Sequence, residues 1–184
     1  MSTPLPVLTT RAVAMPIEFF SALRSAAQDP NSPPAVMEAV RDAGYHAGTA
    51  LYDGFDEWLS SHGESAPETM ADARFASLLS DYLRGAGWGH IRLTALSDAV
   101  IALDAADWTE ARGENGGCLI TIGLFAGFFG RLAEAPIAVL EVECRNAGDP
   151  RCRFLLGSEE VLGYVHEAMM TGASYEMAAI SAEH

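Results

Sequence analysis

The sequence predicts an α+β fold in which an antiparallel sheet of about four strands packs against a helical layer. Three observations support this fold class. Residues before position 85 carry apolar side chains at helical spacing, two pairs of short apolar runs joined by turn residues follow, and helical segments lie between and after these pairs. A chain of 184 residues with 49% hydrophobic residues fits one domain with a sizeable core. We therefore expect an N-terminal arm over residues 1–15 and a single domain over residues 16–184.

The first half of the chain is predicted to form three helices. Pro16 suits the first turn of a helix, and the proline-rich segment 29–34 interrupts the helical pattern. The apolar pattern resumes over about residues 34–60 and, after a polar loop, over about residues 68–84. The glycines that follow position 84 are typical of a helix end.

The second half is predicted to contain two β-hairpins, because β-branched and apolar runs alternate with turn residues there. Joining the two hairpins into one sheet covered by helices is the simplest way to bury their apolar faces. The predicted elements are, in order, strands 90–95 and 99–103, a helix at about 118–133, strands 136–144 and 152–156, and a helix at about 158–171.

The composition excludes several classes of function. The formal net charge is −14, and all eleven basic residues are arginine. Such an acidic surface repels phosphate backbones and anionic lipid, so we expect no direct binding to nucleic acid or to membranes. The longest apolar stretch, residues 118–130, is too short to span a bilayer, and the N-terminus does not resemble a signal peptide. We expect a cytoplasmic protein whose three cysteines are reduced.

The cysteines form the most specific pattern. Cys144 and Cys152 end and begin the two strands of the second hairpin, which brings them together, and Cys118 opens a helix, where thiolate is favoured. Three thiolates and one carboxylate suit a structural zinc ion. The fourth ligand is predicted to be Glu141, or Glu143 if the strand is bulged. Strand alternation places both glutamates opposite Cys144, so Glu141 and Cys144 can meet only if the strand twists or bulges. The alternative is three free cysteines buried as small apolar side chains.

The segment 118–154 resembles the 4-vinyl reductase domain family. The resemblance is carried by a cysteine that opens a glycine-rich helix, by Glu-x-x-Cys at Glu141 and Cys144, and by Gly-Asp-x-x-Cys-Arg-Phe at 148–154. Trp88, between two glycines, and the segment Asp107-Trp108-Thr109-Glu110-Ala111 also resemble the family. The resemblance implies the fold of nitric-oxide-signalling sensors and of Golgi-transport (TRAPP) subunits.

One branch of that family comprises the aromatic-sensing domains of XylR/DmpR-type activators. Resemblance to this branch implies that a structural zinc ion is held by Cys118, Glu141, Cys144 and Cys152. It also implies that Trp108 contacts the ligand, with simple packing as the alternative. Another branch, BchJ, implies an accessory or enzyme of bacteriochlorophyll 4-vinyl reduction that binds a tetrapyrrole.

The predicted ligand-binding residues lie around Trp108. Side chains at i, i+3 and i+7 of the fourth helix share one face, and the resemblance makes this helix a wall of the ligand cavity. Such a stripe is also typical of a core, and His90 also fits an exposed strand position. The predicted set is Trp88, His90, Trp108, Ile122, Phe125 and Phe129.

We expect reversible binding of a small hydrophobic or aromatic molecule by a homodimeric sensor or carrier. No phosphate-binding loop, nucleophile elbow or nicotinamide or flavin motif occurs in the sequence, and no catalytic residue is predicted. Two alternatives remain open. One is the tetrapyrrole-binding accessory or enzyme, and the other is a dimeric scaffold without ligand.

Overall fold

The computed structural model describes residues 15–112 and 116–182. The predicted arm over residues 1–15 lies outside the described residues except for Met15. The helices and strands are, in chain order, α1 (Ile17–Ala27), α2 (Pro34–Ser61), α3 (Asp72–Gly85), β1 (His90–Ala95), β2 (Ile101–Ala106), α4 (Leu119–Ala133), β3 (Ala138–Glu143), β4 (Cys152–Gly157), α5 (Glu159–Met170) and α6 (Tyr175–Ser181).

The four strands form one sheet in the order β1-β2-β4-β3, and every neighbouring pair is antiparallel. Each predicted hairpin is present, and the two hairpins join where β2 pairs with β4. The predicted α+β fold is confirmed. One boundary differs: α3 begins at Asp72, because Pro67–Thr69 form a separate 3₁₀ turn and Ala71 is extended.

Both faces of the sheet are buried. Leu103 and Phe154 lie in the larger core with residues of α2, α3 and α4, which form the predicted helical layer. Ala102 and Leu155, one position along each strand, lie in a second core with α5 and α6. This alternation follows the two-residue period of strands. The inner face, which carries the larger core, is the one that also holds the cysteines.

Helices α2 and α4 cross at backbone contact. A Cβ atom at Gly48 would lie 2.0 Å from the carbonyl oxygen of Leu124, and one at Gly127 would lie 2.1 Å from that of Tyr45. Any larger side chain at these positions would push the helices apart. The glycines therefore fix the position of α4 against α2.

Among the described residues, no helix has both the length and the apolar character needed to cross a membrane.

Candidate functional site

The three cysteine side chains converge at the N-terminal end of α4. The Sγ atom of Cys118 lies 3.9 Å from that of Cys144 and 4.0 Å from that of Cys152. All three cysteines are free and buried. A disulfide requires sulfurs about 2.05 Å apart, so these thiols lie close together without being bonded. One carboxylate oxygen of Glu141 joins them, and the four donor atoms all lie within 4.8 Å of one another.

A β-bulge in β3 brings Glu141 to the cysteines. Glu141 pairs with Phe154 and Glu143 pairs with Arg153, so Val142 is an extra residue on β3. The bulge removes the conflict with strict strand alternation. Glu143 is turned to the outer face, where Arg151 binds its carboxylate at 2.8 and 3.0 Å. Only Glu141 therefore stands in the donor cluster.

The two carboxylate oxygens of Glu141 have different surroundings. Oε2 accepts a hydrogen bond of 2.8 Å from the backbone N–H of Cys118, at the start of α4. Oε1 is buried and has no hydrogen-bond partner among the described residues. Burial raises the pKa of Glu141 to about 8. A buried carboxylate oxygen without a partner is unfavourable, and a cation at this point would relieve it.

The thiols share hydrogen bonds unequally. Hydrogen bonds with the sulfurs of Cys144 and Cys152, reinforced by burial, raise the pKa of Cys118. The thiols of Cys118 and Cys144 lower the pKa of Cys152 to about 4. The expectation that the helix N-terminus favours thiolate at Cys118 is therefore wrong for the metal-free cluster, because the neighbouring sulfurs outweigh the helix.

The donor set fits a tetrahedral zinc ion. Zinc–sulfur bonds of about 2.3 Å at tetrahedral angles separate the sulfurs by about 3.8 Å, close to the spacing of Cys118 from its two neighbours. The backbone around the donors is also held in place. The N–H of Cys144 donates to Asp149 Oδ2 at 2.7 Å, and the N–H of Arg145 donates to Cys152 Sγ at 3.5 Å. The cluster can therefore bind a metal with little rearrangement.

A second buried carboxylate, Glu110, caps α4. It accepts hydrogen bonds from the backbone N–H groups of Ile120 at 3.0 Å and Thr121 at 2.8 Å, and from the Thr121 hydroxyl at 2.6 Å. Burial raises the pKa of Glu110, although these hydrogen bonds oppose the rise. Sequence reasoning quoted Glu110 within a motif but gave it no role. Two carboxylates thus meet the positive end of the α4 dipole.

Trp108 is fully buried beside this cap. Its indole Nε1–H donates to the Thr121 hydroxyl at 2.7 Å, and that hydroxyl donates to Glu110. The Trp108 ring lies 5.6 Å from the ring of Trp88 and 5.3 Å from that of Phe125. A hydrogen-bond chain therefore connects this aromatic cluster, defined as Trp88, Trp108 and Phe125, to the first turn of α4.

The other predicted ligand-binding residues occupy different surroundings. Phe129 is half-buried against the ring of Phe125. Ile122 is half-buried and lines a cleft of about 310 Å³ between α2 and α4. His90 is exposed at the start of β1, apart from the aromatic cluster. Phe125 also contacts Phe154 of the sheet, with ring centroids 5.3 Å apart.

Helix α1 covers the aromatic cluster and the segment that leads to Cys118. Phe20 packs edge-on against Trp88 at 5.4 Å. The buried Arg24 side chain donates to the carbonyl oxygen of Glu110, and Gln28 donates to that of Gly117 at 3.2 Å. These long-range contacts were not predicted. The one signal for them was an arginine on the apolar face of α1.

Comparisons with known proteins agree with this geometry. Residues 110–158, which include Glu110 and all four donors, match the family model of the vinyl-4-reductase (4VR) domain. No curated protein matches the chain significantly.

Three solved structures are similar to the chain. The phenol-responsive sensory domain of the transcription activator PoxR, with phenol, is 17% identical, with a TM-score of 0.61 over 87% of this chain and 82% of that one. A trafficking protein particle complex subunit 3 from Naegleria fowleri, covalently bound to palmitic acid, is 14% identical, with a TM-score of 0.58 over 77% and 91%. A vinyl-4-reductase family protein from Methanocaldococcus jannaschii is 15% identical, with a TM-score of 0.47 over 79% and 83%.

The resemblance to the 4-vinyl reductase domain family is therefore confirmed: the chain carries a match to that domain over residues 110–158 on the fold of the PoxR sensory domain and the trafficking-complex subunit.

Proposed function

We propose that this protein binds a small hydrophobic or aromatic molecule in a domain braced by a structural zinc ion. The observation that carries the proposal is the convergence of three cysteine sulfurs and the unpaired Glu141 Oε1 at the start of α4, next to the aromatic cluster. Support for the ligand comes from the family match and from the fold shared with a phenol-responsive domain. Because zinc thiolates require reduced cysteines, the proposal places the protein in the cytoplasm.

Zinc would be held by Cys118, Glu141, Cys144 and Cys152. Its contribution is structural, since four protein donors leave no open position for a substrate. Cys118 precedes α4, Cys144 ends β3 and Cys152 begins β4, so the ion would tie the helix to both strands of the hairpin. The residues of the chain would then hold one wall of the ligand site in a fixed position.

The ligand would lie against the aromatic cluster, with Phe129 and Ile122 further along α4 and His90 at the start of β1. Burial of apolar ligand surface contributes about 25 cal/mol per Å². The Trp108 N–H and the Thr121 hydroxyl already bond to each other, so a phenolic hydroxyl could bind by joining this pair. An aromatic molecule with one hydroxyl group is the ligand class that these groups fit best.

Native mass spectrometry of the purified chain tests both halves of the proposal and the expected homodimer. A mass increase of one zinc per chain, removed by a chelator, supports the metal site. Phenol and 2-naphthol serve as ligand probes, because each quenches or shifts the fluorescence of buried tryptophan if it enters the cluster. A chain that carries no zinc and shows no saturable response to either probe would refute the proposal.

A further inference from the structure

A groove runs along α5 on the face of the sheet opposite the cysteine cluster. Its volume is about 790 Å³, and its lining includes Pro136, Glu159, Glu160, Gly163, Tyr164 and Glu167. None of these residues takes part in the proposed zinc site or the aromatic cluster. The groove therefore needs a separate account.

Gly163, in the interior of α5, has no structural reason within the chain to be glycine. A Cβ atom at this position would meet no atom of the described residues within 4 Å. Glycine inside a helix is less favourable than alanine, because it loses more backbone freedom on folding. An exposed helical glycine of this kind indicates close approach by something outside the chain.

The crossing of α2 and α4 shows how this protein uses helical glycines elsewhere. Gly44, Gly48, Gly123 and Gly127 each lie against a backbone carbonyl of the facing helix, with the absent Cβ only 2.0 to 2.4 Å from its oxygen. Those glycines allow two helices to touch at their backbones. Gly163 offers the same surface with no helix in contact with it.

The charge beside Gly163 specifies the partner. Glu159 and Glu167 lie one turn before and after it, and Tyr164 is 48% exposed next to it. Met170, seven residues on and so on the same face, is 76% exposed. A second copy would bring its own glutamates against these ones, and the net charge of −14 makes that pairing unfavourable.

We propose that the α5 groove is the docking site for a basic amphipathic helix of a different protein, whose small or apolar residues pack on Gly163 and whose arginine or lysine side chains pair with the flanking glutamates. Helix α5 has 12 residues and is about 18 Å long, enough for three turns of such a helix to lie along it. This surface would pass on the state of the ligand site to a partner.

The test uses the full chain and a fluorescein-labelled 18-residue peptide of arginine, leucine and alanine arranged as an amphipathic helix. A peptide of the same composition in scrambled order measures simple charge attraction. We expect the amphipathic peptide to bind at least tenfold more tightly than the scrambled one by fluorescence anisotropy. We expect Gly163→Ala to remove at least tenfold of that affinity while raising Tm, so that loss of folding cannot account for the loss of binding.

Two control variants complete the test. Ser60→Ala, at an exposed position of α2, should leave peptide affinity unchanged. Glu159→Gln with Glu167→Gln should weaken binding more than Glu18→Gln with Glu57→Gln, although each pair removes the same charge. Equal binding of the two peptides, or full affinity in Gly163→Ala, overturns the proposal. A homodimer that Gly163→Ala dissociates in sedimentation velocity also overturns it, since the groove would then hold a second copy.

Discussion

Glu141 and Glu143, two residues apart on β3, lie on opposite faces of the sheet because Val142 forms a bulge between them. Glu141 joins the cysteine cluster on the inner face, whereas Glu143 binds Arg151 and accepts a hydrogen bond from Tyr175 of α6 on the outer face. A single extra residue thus separates a metal donor from a surface ion pair.

This separation predicts opposite results for two matched substitutions. Glu141→Gln should weaken zinc binding at least tenfold, because an amide oxygen replaces the charged donor beside the buried thiols. Glu143→Gln should leave zinc affinity unchanged and cost up to about 1 kcal/mol of stability, as expected for a partly exposed ion pair. Competition with a chromophoric chelator measures both affinities. Equal loss in the two variants would mean that Glu141 is not a ligand.

Cys144→Ser should remove bound zinc and the stabilisation that zinc provides. Free zinc at 100 times its Kd stabilises a protein that binds it only when folded by about 2.7 kcal/mol. We expect that increment in the parent chain, followed by urea unfolding with and without zinc, and none in the variant. A zinc-dependent increment that persists in Cys144→Ser would contradict the proposed coordination.

Trp108→Phe should weaken phenol binding by about tenfold, as loss of an aromatic contact worth about 0.5–1.5 kcal/mol predicts. It should also cost about 1–3 kcal/mol of stability, because Trp108 is fully buried and its N–H bonds Thr121. Trp58→Phe, in the separate cluster of Phe55 and Tyr82, is the matched control. Isothermal titration calorimetry decides the point, and equal phenol affinity in the two variants would place the ligand elsewhere.

Glu110→Gln should flatten the dependence of stability on pH. The pKa of Glu110 is raised in the folded state, so its contribution is fully present below the ordinary value of about 4.3 and is lost as pH rises towards the folded pKa. The amide has no such titration but caps α4 less well, which costs about 1 kcal/mol. Urea unfolding from pH 4 to pH 8, with chelator in both samples, compares the slopes. Parallel curves for parent and variant would contradict the raised pKa.

Gly48→Ala should destabilise the protein by about 1–3 kcal/mol, because its Cβ would fall 2.0 Å from the Leu124 carbonyl oxygen. Gly163→Ala, with open space around it, should stabilise the chain by up to about 1 kcal/mol. Thermal unfolding of the two variants side by side gives the sign of each effect. Stabilisation by Gly48→Ala would show that α2 and α4 are not in backbone contact.

Much of the fold could be predicted because its signals are local. Pro34, the helical spacing after it and the turn residues at 146–150 placed α2 and the second hairpin within a few residues. The start of α3 was predicted too early, since Glu68 continues the polar pattern of a helix while Pro67 begins a separate turn. Propensity alone does not distinguish these two cases.

The candidate site was only partly predictable for a different reason. The hairpin brings Cys144 and Cys152 together, so their proximity followed from the predicted strands. Whether Glu141 or Glu143 joins them depends on a bulge, which shifts strand register without a clear mark in the sequence. The contact of Arg24 with Glu110 joins residues 86 positions apart and has no local signal.

The backbone contact between α2 and α4 limits where the protein can make room for a ligand. Two carboxylates hold the first turn of α4, and main-chain atoms of α2 hold its length, so sliding or tilting this helix would break many contacts at once. Helix α1, in contrast, rests on the aromatic cluster through individual side chains such as Phe20 and Gln28. Space beside Trp108 therefore opens at the least cost when α1 lifts away, and the segment before α1 becomes the part of the chain most sensitive to an occupied site.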